Sequence, residues 1–528
     1  MECGPTVDLC NHPVALTSNL RHPSSATSLN QLKKRSVKSG GVTALSQGVN
    51  TAIHLGSTIV LARLLTPAEF GVVAMVMTVT VFAGLFKDLG LSAATIQRES
   101  LNQDQLSTLY WINVTAGAGL TLLLVASAPL VSRFYGRPEL TSVTMCLALT
   151  FVISSFSTQQ NALLVREMRF GRQAIASIVS SLIGFGLTMV LALSGLSYWS
   201  LVFGTLARSL TLTVMLNSFS GWRPGPPRRG TGVTAMLKYG LNLTGFSFVN
   251  YFSRNLDNVL IGRFAGADAL GLYSRAYNLL MLPTSNLRVP MDTVAFPALS
   301  RLQRDPAGFR NYYRTITGVI AVASMPMVGY LFVASEPLIE VALGSQWTDA
   351  AKIFSILAIA AFMQPASGFR GTVLTSLGMA RRHLHMGIVF AVITCGGFAV
   401  GVHWGAMGVA TSYAITSVLL TFPMHALSFK DTPVSVTDFF ESIAPPAIAA
   451  ILAAMGAYGL RSYVLVERSS WVQVSACGVV YALLYLGALA LNPVSRRQAR
   501  QAIAFILEIV EHRRAKHVII SVAAEPRS

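Results

Sequence analysis

Residues 61–71 read LARLLTPAEFG, and residues 261–271 read IGRFAGADALG. Leu61-Ala62-Arg63 aligns with Ile261-Gly262-Arg263, and Phe70-Gly71 with Leu270-Gly271, at an offset of 200. The same offset sets Asn50 against Asn250 and His54 against Arg254, and an offset of 210 sets Arg172 against Arg382 and Gly195 against Gly405. The repeated stretch lies in a chain of 528 residues that is 52% apolar and 12% charged, with a mean hydropathy of +0.55. Soluble domains carry about 25% charged residues. So little charge cannot clothe a soluble fold of this size, so an integral membrane protein is expected and a cytosolic enzyme excluded.

A bilayer-spanning helix needs about 20 mostly apolar residues, and fourteen candidate spans are read between residues 42 and 491. The expected fold is all-α and polytopic. Spans 1–6 form an N-lobe (39–217), a basic Gly/Pro-rich cytoplasmic linker follows (218–236), spans 7–12 form a C-lobe (237–428), and two further spans lie in 440–492. A repeat shifted by six spans keeps its orientation, which places a pseudo-axis along the membrane normal. Residues 1–38, without the apolar core of a signal peptide, read either as a disordered cytoplasmic extension or as the result of a start codon placed too early. The tail, 493–528, contains an amphipathic helix on the inner leaflet, with Ala502, Ile506, Ile509 and Val510 on one face.

Net charge is +18. With the N-terminus in the cytoplasm, most of the 40 Lys and Arg residues fall in cytoplasmic segments, the asymmetry expected of a polytopic membrane protein with both termini inside. The basic balance then needs no nucleic-acid partner. The five cysteines show no metal or disulfide spacing. There is no phosphate-binding Gly-Lys-Ser/Thr loop, zinc motif or nucleophile elbow, so no cofactor, metal or catalytic residue is expected.

Charges within spans are costly and usually face a cavity or a partner. Asn250, Arg254, Asp257 and Asn258 share one face of span 7. Arg254 and Asp257 either pair with each other or line a central cavity. Span 1 carries a matching stripe of Gln47, Asn50, His54, Ser57 and Thr58. His54 is either a titrating group or a packing residue. Span 8 carries Arg275, Arg288 and Asp292, with Pro283, Pro290 and Pro297 seven residues apart, a pattern for a bent helix or for one ended by its last proline. Arg208 and Arg370 are further cavity candidates. An arginine-lined cavity implies an anionic substrate, phosphate above all, because guanidinium binds it bidentately.

The stretch Ala62-Arg63-Leu64-Leu65-Thr66-Pro67-Ala68-Glu69-Phe70-Gly71 resembles the polysaccharide-transporter (oligosaccharide flippase) family of the multidrug/oligosaccharidyl-lipid/polysaccharide exporter superfamily. So do Lys87-Asp88-Leu89-Gly90-Leu91, with Ala94 and Gln97, and Asn255-Leu256-Asp257-Asn258-Val259-Leu260-Ile261-Gly262. The resemblance covers about residues 35–491. It implies ion-coupled flipping of an undecaprenyl-diphosphate-linked oligosaccharide from the inner to the outer leaflet, for capsule, exopolysaccharide or O-antigen (lipopolysaccharide) assembly. Arg254 and Arg288 would contact the head group, with Asp257 and Asp292 balancing charge or coupling the ion. The implied partners are the lipid-linked glycan and membrane lipids, with a polysaccharide polymerase and a chain-length regulator as further candidates. The alternatives are a drug/cation antiporter of the same superfamily, whose cavity would rely on acidic residues, and a membrane-embedded glycan polymerase or acyltransferase, which would need a long external loop or His/Asp pairs.

Overall fold

The computed structural model describes residues 26–88, 90–98, 101–228, 251, 255–493, 496–498 and 500, with the backbone alone given for 26–40, 44, 282–290 and 293. Among the described residues there are helices and no strands. In chain order they are α1 (Ala26–Leu64), α2 (Pro67–Gly84), α3 (Leu91–Gln97), α4 (Gln103–Tyr135), α5 (Glu139–Arg166), α6 (Phe170–Leu193) and α7 (Trp199–Ser220). Then come α8 (255–260, continuing through a π turn at Ile261–Ala265), α9 (Gly266–Arg301), α10 (Pro306–Val333) and α11 (Ser335–Leu343). The last are α12 (Thr348–Ser367), α13 (Phe369–Ser376), α14 (Ala380–Gly401), α15 (Gly405–Phe429), α16 (Val436–Tyr463) and α17 (Ser470–Leu491).

The turn between α1 and α2 is written into Thr66-Pro67-Ala68-Glu69. The Glu69 carboxylate accepts from the Thr66 N–H at 2.6 Å while the Glu69 N–H donates to the Thr66 hydroxyl. This reciprocal cap satisfies two otherwise orphaned donors, and Pro67 in the first turn removes another. The chain therefore reverses within two residues.

Ten candidate spans meet the length and apolarity expected of a membrane crossing, and one of them, Ala380–Phe429, comprises both α14 and α15. α1 and α9 are longer still but too polar to stand out by hydropathy, and most of the expected span 7 lies outside the described residues. Fourteen crossings are consistent with this. α1 begins at Ala26, well ahead of the apolar run at Val42. The amphipathic tail segment beyond residue 500 lies outside the described residues. α9 is helical through Pro283, Pro290 and Pro297 to Arg301, so the last proline does not end it.

Within the first lobe α1 packs on α6, α4 on α5 and α6 on α7; within the second, α12 packs on α9, α10 and α15, and α14 on α15. The linker strand that leaves α7 is strapped along the start of α4. There Trp111 Nε1 donates to the Gly225 carbonyl at 2.9 Å, Trp222 Nε1 to Gln103 at 2.7 Å, and Arg228 pairs with Asp104 at 2.9 Å.

α16 and α17 stand outside the repeat and are fastened to α10. In an apolar medium, packing and polar contacts hold helices together, because lipid itself satisfies the apolar surface. Tyr330, Tyr481 and Tyr485 donate to the carbonyls of Val474, Ala450 and Val322. At one end Asp438, fully buried, accepts from Arg310 at 2.8 Å and from Arg314 at 3.4 Å, while Arg314 also reaches Glu441 at 2.7 Å. At the other end Arg461 pairs with Glu336 and Ser470 donates to Glu340. Both arginines facing Asp438 are about half exposed and can be rehydrated, so Asp438→Ala is expected to cost about 2 kcal/mol. Thermal unfolding in detergent checks this, and an unchanged midpoint would show that the clamp contributes nothing.

Candidate functional site

α2 and α9 cross where the repeated sequence puts its glycines. A Cβ added at Gly71 would lie 1.7 Å from the Ala267 carbonyl oxygen, and one at Gly271 would lie 1.8 Å from that of Pro67. With the offset of 200, Pro67 corresponds to Ala267 and Gly71 to Gly271, so the two close approaches are images of each other across the pseudo-axis. The lobes thus touch backbone to backbone near the α1–α2 turn. From that contact a cavity of about 570 Å³ runs back between them, within the usual size of a small-molecule site. Its lining on α1 extends from Leu61 to Gln47, about 21 Å along the helix axis.

The polar stripe of α1 faces this cavity through Gln47, Asn50, His54, Ser57 and Thr58. Asn50 is oriented from two sides, since its amide donates to the Ser46 carbonyl at 3.0 Å and its oxygen accepts from Ser181 of α6 at 3.1 Å. Gly184 and Gly204 let α6 and α7 approach closely, and the Arg208 stem packs where a Cβ on Gly184 would sit, 2.8 Å away. Arg208 then projects into the cavity. From the other lobe come Asn255 and Asn258 of α8, and Ser274, Arg275 and Asn278 of α9.

Arg275, noted on span 8 but not among the named cavity candidates, lines the cavity. Its guanidinium lies 4.3 Å from the centroid of the Phe70 ring, and its Nε is buried with no hydrogen-bond partner among the described residues. His54 lies within electrostatic reach of both Arg275 and Arg208. Neither arginine has an ion-pair partner among the described residues, and no carboxylate lines the cavity. Among the described residues the cavity is therefore cationic.

The remaining sequence candidates fall elsewhere. Asp257 is buried behind the cavity wall, where it accepts from the Tyr273 hydroxyl and from the Asn258 N–H, each at 2.8 Å. Asp292 accepts from Thr372 of α13 at 2.8 Å and ties α9 to that helix rather than lining the cavity. Arg370 also lies away from the cavity, inside the second lobe near Tyr313 and His425. Asn250 and Arg254 lie outside the described residues, and of Arg288 only the backbone position on α9 is described. A signal for Arg275 was present in the sequence: Ser274, Arg275 and Asn278 form a short polar patch one turn beyond Gly271.

Paired helical lobes around a charged cavity define a class of multi-pass membrane protein. The fold is that of the lipid II flippase MurJ in its inward closed conformation, with a TM-score of 0.69 at 13% identity over 85% of this chain and 97% of that one. A multidrug resistance MATE family transporter of the MOP superfamily, in its inward-facing conformation, aligns with a TM-score of 0.56 at 15% identity, over 72% and 96% of the two chains. Residues 60–352 match the polysaccharide biosynthesis protein family, and the chain belongs to it. Teichuronic acid biosynthesis protein TuaB of Bacillus subtilis is 28% identical over 78% of this chain and 86% of its own length. Lipopolysaccharide biosynthesis protein WzxC of Escherichia coli is 25% identical over 76% and 82%. Succinoglycan biosynthesis transport protein ExoT of Rhizobium meliloti is 25% identical over 79% and 84%.

Proposed function

We propose that this protein flips a polyprenyl-diphosphate-linked oligosaccharide across the bacterial inner membrane for export of a surface polysaccharide. The observation that carries the reading is the cavity's charge. Arg208 and Arg275 enter it from opposite lobes, no carboxylate among the described residues lines it, and hydroxyl and amide groups fill out its walls. Guanidinium groups bind phosphate oxygens bidentately, and the surrounding Asn, Ser and Thr side chains suit sugar hydroxyls. The relatives named for polysaccharide biosynthesis and transport agree with this substrate. The drug/cation antiporter reading shares the fold but calls for acidic residues in the cavity, and Asp257, beside the lining residue Asn258, is engaged by Tyr273 behind the wall. Asp257 is assigned ion coupling or charge balance. The charge asymmetry of the loops supports an orientation with both termini in the cytoplasm and the α1–α2 turn outside.

The test is a leaflet assay in a strain lacking the gene. Labelled lipid-linked repeat units are expected to accumulate on the cytoplasmic face, with the intact gene relieving the block and an Arg208→Glu version failing to do so. Outward delivery at the normal rate without the gene, in a strain with no second flippase, would overturn the reading.

A further inference from the structure

Phe70 belongs to the first lobe but sits in a socket made by the second. On one side is the Arg275 guanidinium, 4.3 Å from the ring centroid. On the other is Trp347, edge-on at 5.6 Å. Phe70 and Trp347 are both buried. Trp347 belongs to the short turn Ser345–Trp347 ahead of α12, and its Nε1 donates back across the lobe boundary to the Ala62 carbonyl at 2.7 Å. Gln346 beside it donates to the carbonyls of Ala62 and Leu65. The contacts thus alternate between lobes, running Arg275, Phe70, Trp347, Ala62. They lie at the end of the cavity that the α2–α9 crossing closes.

We propose that Phe70 is a plug seated by Arg275 and Trp347, and that an anionic head group unseats it by taking Arg275 for itself. This rests on the reading of the cavity as a diphosphate site. In the closed state the guanidinium has a ring face but no carboxylate partner among the described residues, where its Nε is also unsatisfied. A phosphate oxygen is a stronger partner for guanidinium than a phenyl face, because it adds a full charge and directed hydrogen bonds. Binding the head group therefore withdraws one wall of the Phe70 socket. Filling of the cavity and release of its closed end pass through a single side chain, which makes Phe70 a positioning residue in the transport cycle.

The experiment uses the full-length chain, cleared of its natural cysteines, in proteoliposomes. Ser57→Cys, on the cavity face of α1, is the reporter, and a membrane-impermeant maleimide is added on the side of the α1–α2 turn. Undecaprenyl diphosphate is the probe, with its binding measured separately. The lipid is expected to raise labelling several-fold in the parent and not in Arg275→Ala. Phe70→Leu is expected to label at the raised level with or without lipid while still binding it, and Trp347→Phe, which keeps a ring but loses the bond to Ala62, to fall between. If the lipid binds and the parent's labelling does not change, or if Phe70→Leu stays at the parent's low level, the plug is overturned. If the lipid does not bind at all, the diphosphate reading fails and the coupling with it, while raised labelling of Phe70→Leu would still show that Phe70 holds the end shut.

Discussion

Arg275→Glu is expected to abolish flipping in the leaflet assay while the protein still reaches the membrane in normal amount. Arg275 stands at the closed end of the cavity with its Nε unsatisfied and no ion-pair partner among the described residues. It gives up no ion pair on binding a head group. Losing its charge-assisted hydrogen bonds to a phosphate costs about 1.5–3 kcal/mol, or about 10- to 150-fold in head-group affinity. Glutamate goes further by setting a like charge against the phosphate. Arg275→Lys separates charge from geometry. It keeps the cation but loses the planar fork and the flat contact with Phe70, so transport is expected to fall between the parent and Arg275→Glu. Full activity in Arg275→Glu at normal abundance would remove this residue from the head-group site.

Gly71→Ala is the second large effect expected. The added Cβ would lie 1.7 Å from a backbone oxygen of the opposite lobe, and backbone cannot rotate aside as a side chain can. α2 and α9 would have to part by more than an ångström. Overpacking of this kind costs about 1–3 kcal/mol, and the cost falls on the closed state because the clash lies between lobes rather than within either. The closed end is then expected to populate its open form about 5- to 150-fold more often, and transport to fall by at least about tenfold. Gly84→Ala on the same helix is the control, since its Cβ meets only a Phe151 ring carbon at 3.9 Å. Transport lost in Gly71→Ala alone, with its unfolding midpoint lowered, that of Gly84→Ala unchanged and both variants reaching the membrane in normal amount, is the expected pattern. Parent-level transport in Gly71→Ala would show that the α2–α9 crossing need not close so tightly.

The two glycines were visible in the sequence as a matched pair 200 residues apart, but nothing in that spacing said that they touch. The stripe Gln47, Asn50, His54, Ser57 and Thr58 was equally visible and faces the cavity, because five polar residues at helical spacing in an apolar run define a face unambiguously. Arg208 and Asn258 join it there. The acidic residues were harder to place. Asp257 lies one position from Asn258 on the same helix, yet it turns to Tyr273 while Asn258 lines the cavity, since adjacent helical residues point about 100° apart. Arg370 reads as a cavity candidate because it lies at the end of a span, and its helix instead brings it near Tyr313 within the second lobe. Asp292, read as a charge-balancing or ion-coupling group, accepts from Thr372 in the same lobe.

The amino-acid order alone determined the membrane class, the helical repeat and the excess of Arg over acid in its spans, because each follows from composition and period along one chain. Only the packing of the helices decided that Arg275 lines the cavity while Arg370 does not, and that Phe70 of one lobe is held by the other. Lipid and protein interior are both apolar, so the hydropathy of a spanning helix does not say which of its faces is buried. That choice is made where α2 and α9 meet at Gly71 and Gly271, since the backbone contact there sets the rotation of both helices and with it the side chains that look into the cavity.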